Sequence, residues 1–156
     1  MERQAAHTTF VIEREFAASP ARVFGAWADP EAKKRWTDCH PGSWTRSHSL
    51  DFRIGGLEVN SAFDEQGVGH HCQSLYLDIV PGERIVYAYD IVSAGVRISV
   101  SLVTVEFKAA GAGARMVFTE QAVFLDGAPG LEERIEGTGE GFDRLALEVE
   151  PVGSAH

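Results

Sequence analysis

The chain predicts an α+β fold in which a curved antiparallel sheet of about seven strands wraps round a long carboxyl-terminal helix. Two short helices follow the first strand. The stretch Ile12 to Trp36, IEREFAASPARVFGAWADPEAKKRW, reads as a strand, a capped helix, a Pro break and a second short helix. From Ser49 to Leu125 the pattern is a run of strands whose connections are short enough for an antiparallel meander. A final helical segment, from about Leu131 to Glu150, places Ile135, Phe142, Leu145, Ala146 and Val149 on one face. An apolar sheet face needs a cover, and one amphipathic helix supplies it.

Thr9 to Phe16 alternates apolar Phe10 and Ile12 with charged residues, which suits an edge strand with one wet face. Ser19-Pro20 starts a helix: Ser accepts from an orphan N–H, and Pro at the first position has no N–H to leave unpaired. Val23, Phe24 and Trp27 form its apolar stripe. Asp29-Pro30 then caps a second helix through Trp36, expected to carry Lys33, Lys34 and Arg35 outward and Trp36 inward. Thr37 to Ser47 reads as a loop beside an opening, and the Gly-Pro segment from Asp126 to Gly130 as a second loop that can gate it.

Ser49–Ile54 and Leu57–Asp64 flank Gly55-Gly56, which reads as a two-residue hairpin turn. The expected inward sets are Leu50, Phe52 and Ile54, then Leu57, Val59 and Phe63. Gly69–Val80 follows, then Arg84–Val92 after a Pro81-Gly82 turn, then Val96–Lys108 and Ala114–Leu125. Phase counting turns His71, Gln73 and Leu75 inward on one strand, Tyr87 and Tyr89 on the next, and Met116, Phe118 and Glu120 on the last. A one-residue slip would invert any of these assignments.

The 156 residues suit one domain, residues 8–150, with tails at 1–7 and 151–156. Twenty-three acidic against fourteen basic residues give a net charge of −9, which repels phosphate backbones and anionic headgroups, so nucleic acid is not an expected partner. No apolar run fits a signal peptide or a membrane span, and a cytoplasmic location is expected. Cys39 and Cys72 have no CxxC spacing and read as free thiols.

No nucleophile, base and orienting group occur at spacings that a catalytic site requires, and no catalytic residue is assigned. His70-His71-Cys72, with Cys39-His40 and His48, suggests a metal cluster at first glance. Adjacent strand residues point to opposite faces, so only His70 and Cys72 share a side, and three or four convergent ligands are lacking. Neither a metal nor a cofactor is expected. An inward Glu120 with His71 would be an ionisable pair able to orient a ligand or exchange protons, against the plainer reading of a water-mediated structural network. Trp27, Trp36, Tyr87 and Tyr89 supply aromatic area, with two hydroxyls that need hydrogen bonds.

Four segments together carry a family resemblance: Arg14 to Trp36, Asp51-Phe52-Arg53-Ile54-Gly55-Gly56, Pro81-Gly82-Glu83-Arg84-Ile85-Val86-Tyr87 and Phe142-Asp143-Arg144-Leu145. Their order and spacing resemble the START-like SRPBCC superfamily, and more narrowly the family named for activators of the heat-shock protein 90 ATPase. The resemblance implies a helix-grip fold, like that of the birch pollen allergen Bet v 1, with a cavity between sheet and long helix that often holds an apolar small molecule. Chaperone contact is not expected, because the eukaryotic co-chaperones carry an additional chaperone-contacting domain. Where members commonly show Gly-Trp shortly before the last helix's apolar motif, this chain has Gly137-Thr138. With Gly139 and Gly141, this leaves two explanations: a helix that begins near Thr138 after a frayed loop, which is preferred, or small residues that open the cavity.

The expected function is binding of an uncharged or weakly polar small hydrophobic molecule between sheet and last helix, with Thr138 and Phe142 on the helical wall. A cyclase- or hydratase-like enzyme using Glu120, His71 and a Tyr hydroxyl is one alternative, and a co-chaperone-like protein-interaction module is another. Dimer formation through the Thr9–Phe16 edge is open, although its charges blunt the tendency.

Overall fold

A computed structural model describes residues 2–128 and 130–151. Pro129 of the expected gating loop and residues 152–156 of the expected tail lie outside the described residues. The element order is β1 (Ala5–Phe16), α1 (Pro20–Ala28), α2 (Pro30–Trp36), β2 (Thr45–Leu50), β3 (Leu57–Phe63), β4 (Gly69–Val80), β5 (Arg84–Ser93), β6 (Val96–Ala110), β7 (Gly113–Leu125) and α3 (Leu131–Val149). All seven strands form one antiparallel sheet in the order β1-β7-β6-β5-β4-β3-β2, so β1 and β2 are its edges. Among the described residues no helix is long and apolar enough to cross a membrane.

The local signals explain the helices. Ser19 accepts from the Arg22 N–H at 3.1 Å, and Asp29 both ends α1 and caps α2 through the Glu31 N–H at 3.3 Å. Trp27 and Trp36 meet edge to face at 4.9 Å, and the Trp36 indole N–H donates to the Ala26 carbonyl at 2.9 Å. Phe118 and Phe142 close on Trp27 at 6.5 and 6.2 Å, which locks α1, α2, β7 and α3 round one aromatic cluster. The rest of the core, including Ile85, Val103, Val105, Met116 and Leu145, lies on the concave face of the sheet.

Lys33 is not carried outward. It is 4 % exposed, lies over the rings of Trp27 and Trp36 at 4.9 and 5.5 Å, and pairs with Glu58. The expected loop at 37–47 is shorter, because β2 already begins at Thr45. Gly55-Gly56 is not a two-residue turn either: β2 stops at Leu50, and 51–56 form a connection tucked against β4. There the Gly55 N–H donates to the Tyr76 carbonyl at 2.8 Å and the Tyr76 N–H to the Gly56 carbonyl at 3.1 Å. Gly55 has φ +84°, and a Cβ on Gly56 would stand 2.1 Å from the Asp51 carbonyl oxygen, so both positions demand glycine. Phe52 packs into the core against Phe24 and Tyr76, whereas Ile54 in this connection is exposed.

Strand phase is inverted in two places. In β4, Cys72, Ser74 and Tyr76 face inward, while His71, Gln73 and Leu75 face out. The cause is a bulge between Tyr76 and Asp78. It lets Tyr76 pair with Tyr87 and Ile79 with the buried Ile85, so a phase counted back from Ile79 comes out reversed upstream of the bulge. The register carries the inversion into β3, where Glu58 pairs with Ser74 and Asn60 with Cys72. Glu58, Asn60 and Ala62 therefore face inward, and Leu57, Val59 and Phe63 line the outer face.

Candidate functional site

Between the concave sheet and α3 lies a cavity of about 560 Å³. Trp27, Trp36, Tyr87, Phe118 and Phe142 give it an aromatic wall; α3 contributes Arg134, Gly137, Thr138, Gly141 and Arg144; β3 and β4 contribute Glu58, Asn60, Cys72 and Ser74. Thr37 and Cys39, just after α2, complete the lining. Volume and wall chemistry fit an organic molecule of moderate size, because pockets of this kind combine apolar area with a few fixed polar groups.

Two polar clusters are embedded in this wall. In one, Glu58 Oε1 accepts from Lys33 Nζ at 2.8 Å and from the Tyr76 hydroxyl at 2.7 Å, and Oε2 lies 2.8 Å from His48 Nε2. Burial pushes the Glu58 carboxyl up, but the Lys33 charge and the hydrogen bonds from His48, Lys33 and Tyr76 outweigh it and hold the group at about 2. In the other cluster, Glu120 is wholly buried and its Oε2 accepts from Tyr89, Ser101 and Arg134 at 2.7, 2.7 and 2.9 Å. Arg134 also donates to Ser99 at 2.6 Å. Glu120 Oε1 has no partner among the described residues, nor has the buried indole N–H of Trp27. Such orphans are rare enough in folded proteins to mark a site of interest. Burial drives the Tyr87 and Tyr89 hydroxyls well above their ordinary value, so both stay protonated, and Tyr89 spends its one proton on Glu120 Oε2.

The three glycines of α3 have separate reasons. The helix is continuous from Leu131, so the frayed-start explanation fails and all three lie inside it. A Cβ on Gly137 would meet nothing within 4 Å, so this position leaves open space on the cavity wall. A Cβ on Gly139 would come within 3.4 Å of the Arg14 guanidinium, which donates to the Gly139 carbonyl at 3.1 Å. On Gly141 it would lie 3.6 Å from Arg144 Nη2, so the Arg144 side chain folds back across this glycine.

The histidines and cysteines separate. His40 Nε2 lies 2.7 Å from His70 Nε2, Cys39 Sγ 3.7 Å from the same His40 nitrogen, and Trp44 stacks on His40. Among the described residues no group of three or more His, Cys, Asp or Glu is placed to hold a metal ion. Burial pushes the Cys72 thiol up to about 12, which makes it an uncharged wall group and a poor nucleophile. His71 is on the outer face, where its Nδ1 lies 2.6 Å from Ser61 Oγ, so it forms no pair with Glu120.

Of the residues expected from sequence, Trp27, Trp36, Tyr87, Tyr89, Phe118, Glu120, Thr138 and Phe142 line the cavity. Met116 and Phe52 belong to the packed core, and Ile54, Val59, Phe63, His71, Gln73 and Leu75 lie away from it. Sequence reasoning missed Lys33, Glu58, Asn60, Cys72, Ser74, Arg134 and Arg144. Arg134 was within reach, since it lies one turn before Thr138; Arg144 shares its side of α3 with Gly137 and Gly141, seven and three residues earlier. Glu58 and Asn60 carry no such signal, because polar residues alternating with Leu57 and Val59 read as the solvent face.

Comparison with known proteins agrees with this architecture. No curated protein matches the chain. Among solved structures, an uncharacterised protein from Rhizobium leguminosarum is 49 % identical, with a TM-score of 0.89, 96 % of this chain and 98 % of that chain covered. A protein from Rhizobium loti is 39 % identical at a TM-score of 0.84, covering 93 % and 99 %. One from Chromobacterium violaceum is 27 % identical at 0.77, covering 92 % and 97 %. The sequence pattern described as Activator of Hsp90 ATPase homolog 1-like protein matches residues 17–149. With a helix-grip architecture and a match over nearly its whole length, the chain belongs to the Activator of Hsp90 ATPase homolog 1-like family, within the START-like SRPBCC superfamily.

Proposed function

We infer that this protein binds a small, mostly apolar molecule in the cavity between its sheet and α3. The observation that carries the reading is the aromatic chamber of about 560 Å³ beside Gly137 and Thr138, where α3 withholds large side chains. Small residues inside a helix cost stability, roughly 1 kcal/mol for each Gly relative to Ala. Their presence along a cavity wall supports a need for that space. The test is to fill it: in Gly137→Trp and Thr138→Trp, the neutral fluorophore N-phenyl-1-naphthylamine should lose most of the binding it shows to the unaltered protein, with melting temperature kept or raised. Undiminished binding in both variants, or no binding to the unaltered protein, would reject the reading.

The enzyme alternative loses its form with His71, which faces away from Glu120. The interaction-module alternative is favoured by one observation. Leu57, Leu75, Ala88 and Leu102 are direct neighbours across β3, β4, β5 and β6, and the three leucines are exposed on the outer face. An exposed apolar row of this kind suits a protein contact. Leu75→Asp should then abolish any self-association seen by light scattering; a protein monomeric at all concentrations would count against a second copy as partner.

A further inference from the structure

The cavity wall contains three cations, and they are not equivalent. Lys33 is paired with Glu58 at 2.8 Å and Arg134 with Glu120 at 2.9 Å. Arg144 forms no ion pair among the described residues: its Nε donates to the Trp36 carbonyl at 2.8 Å, and no other described residue bonds its two terminal nitrogens. This guanidinium is half-buried, held in place by that one bond, and folded back over Gly141, itself a buried wall residue. Its fork is thus fixed at the wall while its strongest donors remain unused, which is the arrangement that suits a bidentate anion.

The surroundings strengthen the point. Arg46 stands behind the same side of the cavity, donating to Asn60 Oδ1 at 3.1 Å and Thr37 Oγ1 at 2.8 Å, both on wall residues. Burial, and to a smaller extent the nearby Arg144 charge, make protonation of Arg46 harder, so the two guanidiniums repel each other. Asp38 offsets Arg46 at only 3.8 Å. Glu140, one helical turn before Arg144 and also on the wall, is exposed and makes no ion pair with it. In a chain of net charge −9, two guanidiniums kept near each other concentrate positive charge at this part of the wall.

We propose that the cavity selects amphiphilic anions, in which a carboxylate or sulfonate sits on Arg144 and an aromatic or alicyclic body lies against Trp27, Phe118 and Phe142. This rests on the cavity reading above and adds the polarity of the ligand to it. Burying the body supplies the bulk of the attraction, and the charge-assisted bonds fix its orientation with the charged end beside Thr37 and Asn60.

Two fluorophores that share one ring system separate the claims: N-phenyl-1-naphthylamine is neutral, and 1-anilinonaphthalene-8-sulfonate adds a single sulfonate. The unaltered protein should bind the sulfonate more tightly, with an affinity that falls as salt rises. Arg144→Gln should lower the ratio of sulfonate to neutral affinity about tenfold or more, the range lost with a charged hydrogen bond. Arg144→Lys should keep part of it, and Glu140→Gln should raise it. Neutral-probe binding by both Arg144 variants serves as the folding control. A ratio unchanged in Arg144→Gln while the neutral probe still binds overturns the anion site and leaves the cavity reading intact. Sulfonate binding that survives Gly137→Trp places the probe elsewhere and overturns the anion site as well. Failure of both probes on the unaltered protein overturns the two together.

Discussion

The two buried polar clusters of the cavity wall look alike in composition and differ in completeness. Around Glu58 both carboxylate oxygens are engaged, by Lys33 and Tyr76 on one and His48 on the other. Around Glu120 one oxygen takes three donors and the other takes none. The first cluster ties four elements into one unit: α2 through Lys33, β2 through His48, β3 through Glu58 and β4 through Tyr76. The second joins α3 to β5, β6 and β7 through Arg134, yet retains unspent hydrogen-bonding capacity. A saturated buried network fixes the elements it joins, whereas Glu120 Oε1 keeps an acceptor to which no described residue donates.

Breaking the saturated cluster should have the largest effect. Glu58→Ala leaves the Lys33 ammonium buried under two indoles without its counterion, and should cost about 3–5 kcal/mol in urea unfolding. The double change Lys33→Met with Glu58→Leu should recover most of that loss, because no charge is then left alone. If Glu58→Ala were as mild as a surface change, the cluster would not be structural.

Acid should distinguish the clusters next. The folded Glu58 carboxyl, at about 2, lies below its ordinary 4.5, so its stabilisation is complete above about pH 4.5 and fades as pH falls toward 2. The loss is on the order of 3 kcal/mol, read from unfolding curves across that window. In Glu58→Gln the same window should be flat in this contribution; an unchanged acid slope would assign the sensitivity to other carboxylates.

Glu120→Ala should cost less, about 1–3 kcal/mol, since Arg134 is partly open and keeps its bonds to Tyr89 and Ser99. A loss as large as that of Glu58→Ala would erase the distinction drawn between the clusters. Smallest of all, Gly137→Ala should stabilise by about 1 kcal/mol or less, because it gains helix propensity and meets nothing within 4 Å. Gly139→Ala, pressed against the Arg14 guanidinium, should gain less in the same thermal melts.

What could be read from the sequence depended on whether the signal was local. The Ser19-Pro20 and Asp29-Pro30 caps, the meander and the position of α3 all follow from residues adjacent in the chain, and the structure has them. β5 and β7 read correctly as well: Tyr87, Tyr89, Phe118 and Glu120 keep the alternation of unbroken strands. β3 and β4 did not, since the bulge at Leu77 shifts the phase and the register with β4 transmits the shift to Glu58 and Asn60.

The amino-acid order by itself determined the elements, their sequence along the chain and the aromatic content of the interior, because capping, proline geometry and hydrophobic period act over a few residues. The tertiary structure decided which charges are buried together, which face of β3 and β4 lines the chamber, and that Arg144 turns across Gly141. Those depend on register and packing between segments far apart in sequence, where a single extra residue reverses a face and a counterion arrives from another element.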